Sequence, residues 1–427
     1  MAARGTLGHS PSPERGYREY VMAGERLLRH GTITSPLILD DVNHRPSALM
    51  PPAYVAFVTA TYANLGVETR TATLFLHLVN AAATSLAVVF VFLLVGELAG
   101  PRAAWIAAIV AAINPTLIGF SDFIWDTNLF ALGVTIAVWW SYRLGAPIRT
   151  PSGSAGFSSV DASNDIRSLP LPALIDTRWF LFGMYLGGLA LFNPALTTAY
   201  PLLVLWPITR SGAKRWRSFA KPVALTLAGW AVALTPWTIR NHVHFNEWMY
   251  VRGGLGLELW LGSCPEADGN GVPVFHAQFP LNNAQVQRHV VEIGEQAYIQ
   301  ECSAKAKEAI AADTWHFVRL STVRFVDYLL GTSISHADNP SQRILTARNA
   351  ITAFLAAETI LIVLAILLRG RGSTDVCWLI GMCVVFGLVY ALTHTQVRFR
   401  APIEPIVVVA IGVLFSNRRV DSAQDAV

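Results

Sequence analysis

The chain has 427 residues, 53% of them hydrophobic and 14% charged, with a net charge of +4 and a mean hydropathy of +0.43. Soluble globular proteins carry about 25% charged residues, so this composition excludes an ordinary soluble domain. The basic residues sit mostly in short gaps between apolar runs, which marks membrane topology and not a nucleic-acid patch.

Taken in chain order, the opening stretch MAARGTLGHSPSPERG has no apolar core and so is not a cleavable signal peptide. Segment 52–65 is too short to span and is expected in the membrane interface. Apolar runs follow near 71–98, 101–118, 123–144, 178–192, 195–209, 221–238, 349–368, 376–393 and 402–416. A spanning helix needs about 20 apolar residues, and the pattern predicts an all-α polytopic membrane protein of about nine spans. The runs at 178–192 and 195–209 are short and flank Asn193-Pro194, so they are two short helices or one broken helix lining a cavity. Segment 240–345 reads as a domain of mixed structure outside the membrane. It ends in an amphipathic run, WHFVRLSTVRFVDYLL (315–330), suited to the membrane surface.

The gaps at 142–178, 209–221, 369–371 and after 416 carry the clustered Lys and Arg, and this side is expected to be cytoplasmic. That orientation gives an outer loop with interfacial helices (1–70), a transmembrane core (71–238), an extracytoplasmic domain (239–346), C-terminal spans (347–416) and a cytoplasmic tail (417–427) in the cytoplasmic (inner) membrane. An exported N-terminal segment needs a driver, so a further span of about 20 apolar residues is expected upstream. Cys264 and Cys302 are the Cys pair of the outer domain, where an oxidising exterior permits a disulfide.

Several stretches resemble the family 39-type glycosyltransferases of the GT-C fold, which include protein O-mannosyltransferases and the enzymes that add aminoarabinose to lipid A. They are GYREYVMAGERLLRHG (16–31), MPPAY (50–54), NPTLIGFSDFIWDTNLFAL (114–132), PWTIRN (236–241), GGLGLELWLG (253–262) and RFRAPIEP (398–405). The chain departs from the family at Gly16, where an Asp is usual. The resemblance implies a GT-C-like bundle that moves a sugar from a polyprenyl-phosphate donor to a lipid, glycan or protein acceptor hydroxyl at the outer membrane face. It implies no certain cofactor, although a divalent metal ion is compatible with it.

Such a reaction needs a carboxylate to accept the hydroxyl proton and cationic donors to hold the phosphate. Asp126 is the first carboxylate candidate, the alternative being a helix cap beside Thr127 and Asn128. Asp122 precedes it in a solvated loop. Glu19, Asp40 and Asp41 are the other acids in question, each equally readable as an exposed loop residue. Arg240, Arg398 and Arg400 are the phosphate candidates, the alternative being contact with lipid headgroups. Arg398 and Arg400 would point the same way on an extended stretch. The resemblance adds Tyr20 and Tyr54 as donor-binding candidates. Glu358, inside a span, reads as a helix–helix hydrogen-bonding group, and His77 with Asn80 as ligand-facing or interhelical. No metal-ligand spacing and no phosphate-binding glycine loop is present. Two other readings remain at this level: a transporter of lipid or solute, and a non-catalytic relative acting as a scaffold.

Overall fold

The computed structural model describes residues 19–38, 44–145, 171–211, 216–269, 274, 277–332, 342–369 and 374–416. Among these residues there is no strand, and one isolated bridge joins Thr34 to Pro46. The helices are α1 (Glu19–His30), α2 (Pro52–Leu65), α3 (Arg70–Ala99), α4 (Pro101–Ala112), α5 (Pro115–Phe120), α6 (Thr127–Leu144), α7 (Leu171–Ala190), α8 (Tyr200–Arg210), α9 (Trp216–Phe245), α10 (Leu255–Ser263), α11 (Ala284–Ile293), α12 (Glu295–Ala312), α13 (Thr314–Leu330), α14 (Gln342–Arg369), α15 (Thr374–Leu392), α16 (Val397–Arg400) and α17 (Glu404–Leu414). Gly16, Asp40 and Asp41 lie outside the described residues.

Local chemistry sets the breaks. Thr69 caps α3 by accepting from the Ala72 N–H, and Asn114 caps α5 by accepting from Thr116 and Leu117. Proline opens α2, α4 and α5, where its missing N–H leaves no helical bond unmade. At Asn193 the side chain accepts from Ala195 N–H, and a 3₁₀ turn, Pro194–Ala199, leads into α8. The run from 178 to 209 is therefore two helices.

Four helices are long and apolar enough to cross a membrane: Arg70–Ala99, Phe219–Phe245, Arg348–Leu367 and Thr374–Leu392. The chain is a multi-pass membrane protein. The remaining apolar runs form further helices packed among these four. One end of the bundle carries the ion pairs Glu97–Arg143, Asp176–Lys221 and Arg210–Asp375, each at 2.7 Å. Trp206 lies at this end, fully buried, and donates to Asp375. The opposite end carries α1, α2, the 121–126 loop, the Asn193 break and the helices α10 to α13. There Leu37, Ile38 and Leu49 of the N-terminal loop pack with Leu257, Leu261 and Tyr298. Glu295 fastens this layer by accepting from Ser47 Oγ at 2.8 Å and Ala48 N–H at 3.1 Å.

Helices α7 and α9 meet backbone to backbone. A Cβ at Gly183 would overlap the Thr226 carbonyl, and one at Gly229 would overlap the Phe180 carbonyl. Gly187, one turn on, approaches Ala233 and Trp230 in the same way. Small residues four apart allow such contact between membrane helices. Gly183→Ala and Gly229→Ala are each expected to destabilise the fold by about 1–3 kcal/mol through overpacking, read as a lower thermal midpoint in detergent.

Candidate active site

The end of the bundle that carries α1, α2 and helices α10 to α13 gathers three carboxylates and two guanidinium groups. Tyr20, near the start of α1, stacks edge-on against Tyr54 of α2 (4.8 Å between ring centroids) and against Trp125 (5.1 Å). Its hydroxyl faces the carboxylate of Asp126. The 121–126 loop is held from α3, where Asn80 Nδ2 donates to the Phe123 carbonyl at 2.7 Å and His77 Nδ1 lies 3.4 Å from the Ser121 carbonyl. His77 and Asn80 are thus interhelical contacts that shape the loop.

Asp126 precedes α6, but its side chain makes no capping bond. It is 5% exposed, so neither capping nor solvation accounts for it. Burial raises its pKa to about 6, against the opposing Tyr20 hydrogen bond and the charges of Arg398 and Arg252. Asp122, by contrast, has a side chain that is 65% exposed. Glu19 faces the same group. Burial raises its pKa, and Arg398 and Arg252 partly oppose that shift.

The guanidinium of Arg398 lies 4.4 Å from the centroid of the Trp125 ring, and its buried Nε has no hydrogen-bond partner. Arg252 donates to Glu258 Oε1 at 2.8 Å. Glu258 Oε2 lies 3.0 Å from His394 Nδ1, so one carboxylate bridges α10 to the 393–396 turn. Burial alone would raise the pKa of Glu258, but His394, Arg252 and Arg398 together hold it at about 2. A Cβ at Gly262 would overlap the Thr393 carbonyl, and this close approach brings His394 onto Glu258. Tyr390 completes the wall, stacked on Phe399 at 4.2 Å, with Asn193 Nδ2 at 3.4 Å from its hydroxyl.

The sequence candidates therefore separate. Asp126, Glu19, Tyr20, Tyr54 and Arg398 come together. Arg400 does not join them. Residues 397–400 form a helical turn, not an extended stretch, and side chains two apart on a helix point to different sides. The Arg400 guanidinium instead meets Glu404 Oε1 at 2.5 Å, Glu358 Oε2 at 3.4 Å, Thr359 Oγ1 at 3.1 Å and the Leu329 carbonyl. Arg240 is engaged as well, donating to the Ser47 carbonyl at 3.0 Å and lying over Trp237 at 4.7 Å. Arg252, Glu258 and His394 carried no assignment in the sequence, although a lone acid inside the apolar stretch LGLELWLG (255–262) was a signal. Among the described residues no group of three or more His, Cys, Asp and Glu side chains is arranged to hold a metal ion. Cys264 and Cys302 are buried free thiols within one hydrophobic cluster.

Against solved structures, the archaeal oligosaccharyltransferase AglB from Archaeoglobus fulgidus, in complex with an inhibitory peptide and a dolichol-phosphate, aligns over 93% of this chain with a TM-score of 0.50 and 14% identity. The fold is GT-C. The chain spans 45% of the length of that AglB chain. ArnT from Cupriavidus metallidurans also aligns, bound to undecaprenyl phosphate (TM-score 0.41, 14% identity, 96% of this chain and 74% of that one) and in the apo state (0.33, 13%, 97% and 76%). No protein-family model matches the sequence, and no curated protein is similar to it at a significant level.

Proposed function

We propose that the protein is an inverting GT-C glycosyltransferase that moves a hexose or pentose from a polyprenyl-phosphate donor to the hydroxyl of a lipid, glycan or protein acceptor at the extracytoplasmic membrane face. The observation that carries this reading is the pairing of Asp126, a buried carboxylate with a pKa of about 6, with the Arg398 and Arg252 guanidinium groups. A carboxylate near neutrality accepts a proton from an attacking hydroxyl. Two guanidinium groups neutralise a departing phosphate. Glu258 stays ionised and fixes Arg252, and Trp125 supports Arg398 through its ring face. The lipid phosphate bound by AglB is the donor class these groups suit.

The direct test is transfer of radiolabelled sugar from a panel of polyprenyl-phosphate hexoses and pentoses by the protein in liposomes. Solute movement without transfer would instead favour a transporter. The sidedness follows from the basic gaps, with the 209–221 loop and the C-terminus cytoplasmic. In a Cys-free background, Ser211→Cys is expected to resist an impermeant maleimide in intact cells and to react after permeabilisation. Labelling of intact cells would reverse the orientation and move the acid cluster to the other face.

A further inference from the structure

Arg324 lies outside the acid cluster, yet it touches both elements that bring Glu258 and His394 together. It sits on the inner stripe of α13 with Leu320 and Tyr328, and is 3% exposed. Both of its hydrogen bonds go to carbonyls. Nη1 donates to Ala391 O at 3.4 Å, and Nη2 donates to Gly262 O. Gly262 is the next-to-last residue of α10, and Ala391 the next-to-last residue of α15. Arg324 makes no ion pair with a described carboxylate, and Asp268 acts on it only at longer range.

A helix C-terminus leaves its last carbonyls without intrahelical partners and carries about half a negative charge. Two such ends converging repel each other, while a buried guanidinium without a counter-charge is strongly destabilising. Placed together, they neutralise one another. The two helix ends are also where the contact of interest is made, because Glu258 lies one turn before Gly262 and His394 lies just beyond Ala391. A small cleft lined by Leu261, Arg324, His394 and Thr395 adjoins the contact.

We infer that Arg324 is a positioning residue: it clamps the C-termini of α10 and α15 together and thereby holds His394 on Glu258. The kinetic consequence rests on the transferase reading, whereas the clamp itself does not. The test uses the full chain in nanodiscs, with Arg324→Met and Arg324→Lys. Amide hydrogen exchange over 391–396 is expected to quicken about tenfold with Met. It is expected to quicken about threefold with Lys, whose single ammonium serves the two carbonyls less well. Exchange in α3 is expected to stay unchanged. With a polyprenyl-phosphate sugar, Arg324→Met lowers kcat about tenfold with little change in donor KM. Adding Arg324→Met to His394→Gln lowers it no further, because both act through one contact. Wild-type exchange in both variants, or fully additive losses in kcat, overturns the clamp. Faster exchange in a protein without transferase activity leaves the clamp standing and removes the transferase reading. Where the Met variant does not fold, the Lys variant decides by its exchange alone.

Discussion

Asp126→Asn is expected to reduce transfer by about 10²- to 10⁴-fold, the range of a lost general base, while donor binding holds. Asn keeps the shape, so the aromatic packing of Tyr20, Tyr54 and Trp125 survives. Arg398 and Arg252 stay in place for the phosphate. The wild type carries a second signature. The base must be ionised to act, and the folded pKa is raised from 3.8 to about 6 by burial. Activity as kcat/KM is therefore expected to climb with pH through about 6 and level off above it. A raised carboxylate pKa also means that the folded state holds the proton more tightly than the unfolded state. This group's contribution to stability accordingly falls as pH rises between the unfolded and folded values. The Asn variant is thus expected to match or exceed the wild-type thermal midpoint at pH 7. Loss of activity with a lowered midpoint would point to misfolding, and an unchanged rate would remove Asp126 from the reaction.

Arg400→Met is expected to cost the fold about 3–5 kcal/mol, the usual effect of removing one partner from a buried ion cluster. Glu404 is fully buried and Glu358 is 3% exposed. Without Arg400, two carboxylates would be left inside the bundle, with Asn114 Nδ2 still donating to Glu404 at 3.0 Å. Combining Arg400→Met with Glu358→Gln and Glu404→Gln is expected to recover most of the stability, because no uncompensated charge remains. Urea or thermal unfolding in detergent reads both effects. A selective loss of donor binding with normal stability would instead return Arg400 to the phosphate site.

The helices were legible because apolar runs, prolines and capping residues act over short range. The break at Asn193-Pro194, the short helix at 52–65 and the α13 run all follow from that local grammar. Asp126 shares its gap between two apolar runs with Asp122, and it was the resemblance of 114–132 to the family segment that singled it out. The site was less legible where it depends on local geometry or distant pairing. Arg398 and Arg400 looked like a pair until the chain at 397–400 proved helical, which sent one toward Trp125 and the other into the bundle. Glu258, Arg252 and His394 become a unit only when α10 meets the end of α15. Nothing within either segment announces that meeting except Gly262, whose missing side chain permits it.

The seam between α7 and α9 has a mechanical meaning. Side chains can slide past or swap rotamers, but two backbones in direct contact have neither freedom, so the pair behaves as a stiff plank spanning the bundle. Beyond the end of α7 lies the Asn193 break, where the chain leaves regular helix beside the wall formed by Tyr390. Compliance needed to admit the proposed polyprenyl-phosphate donor is therefore expected at that joint and in the loops above it, with the plank as the fixed reference against which they move.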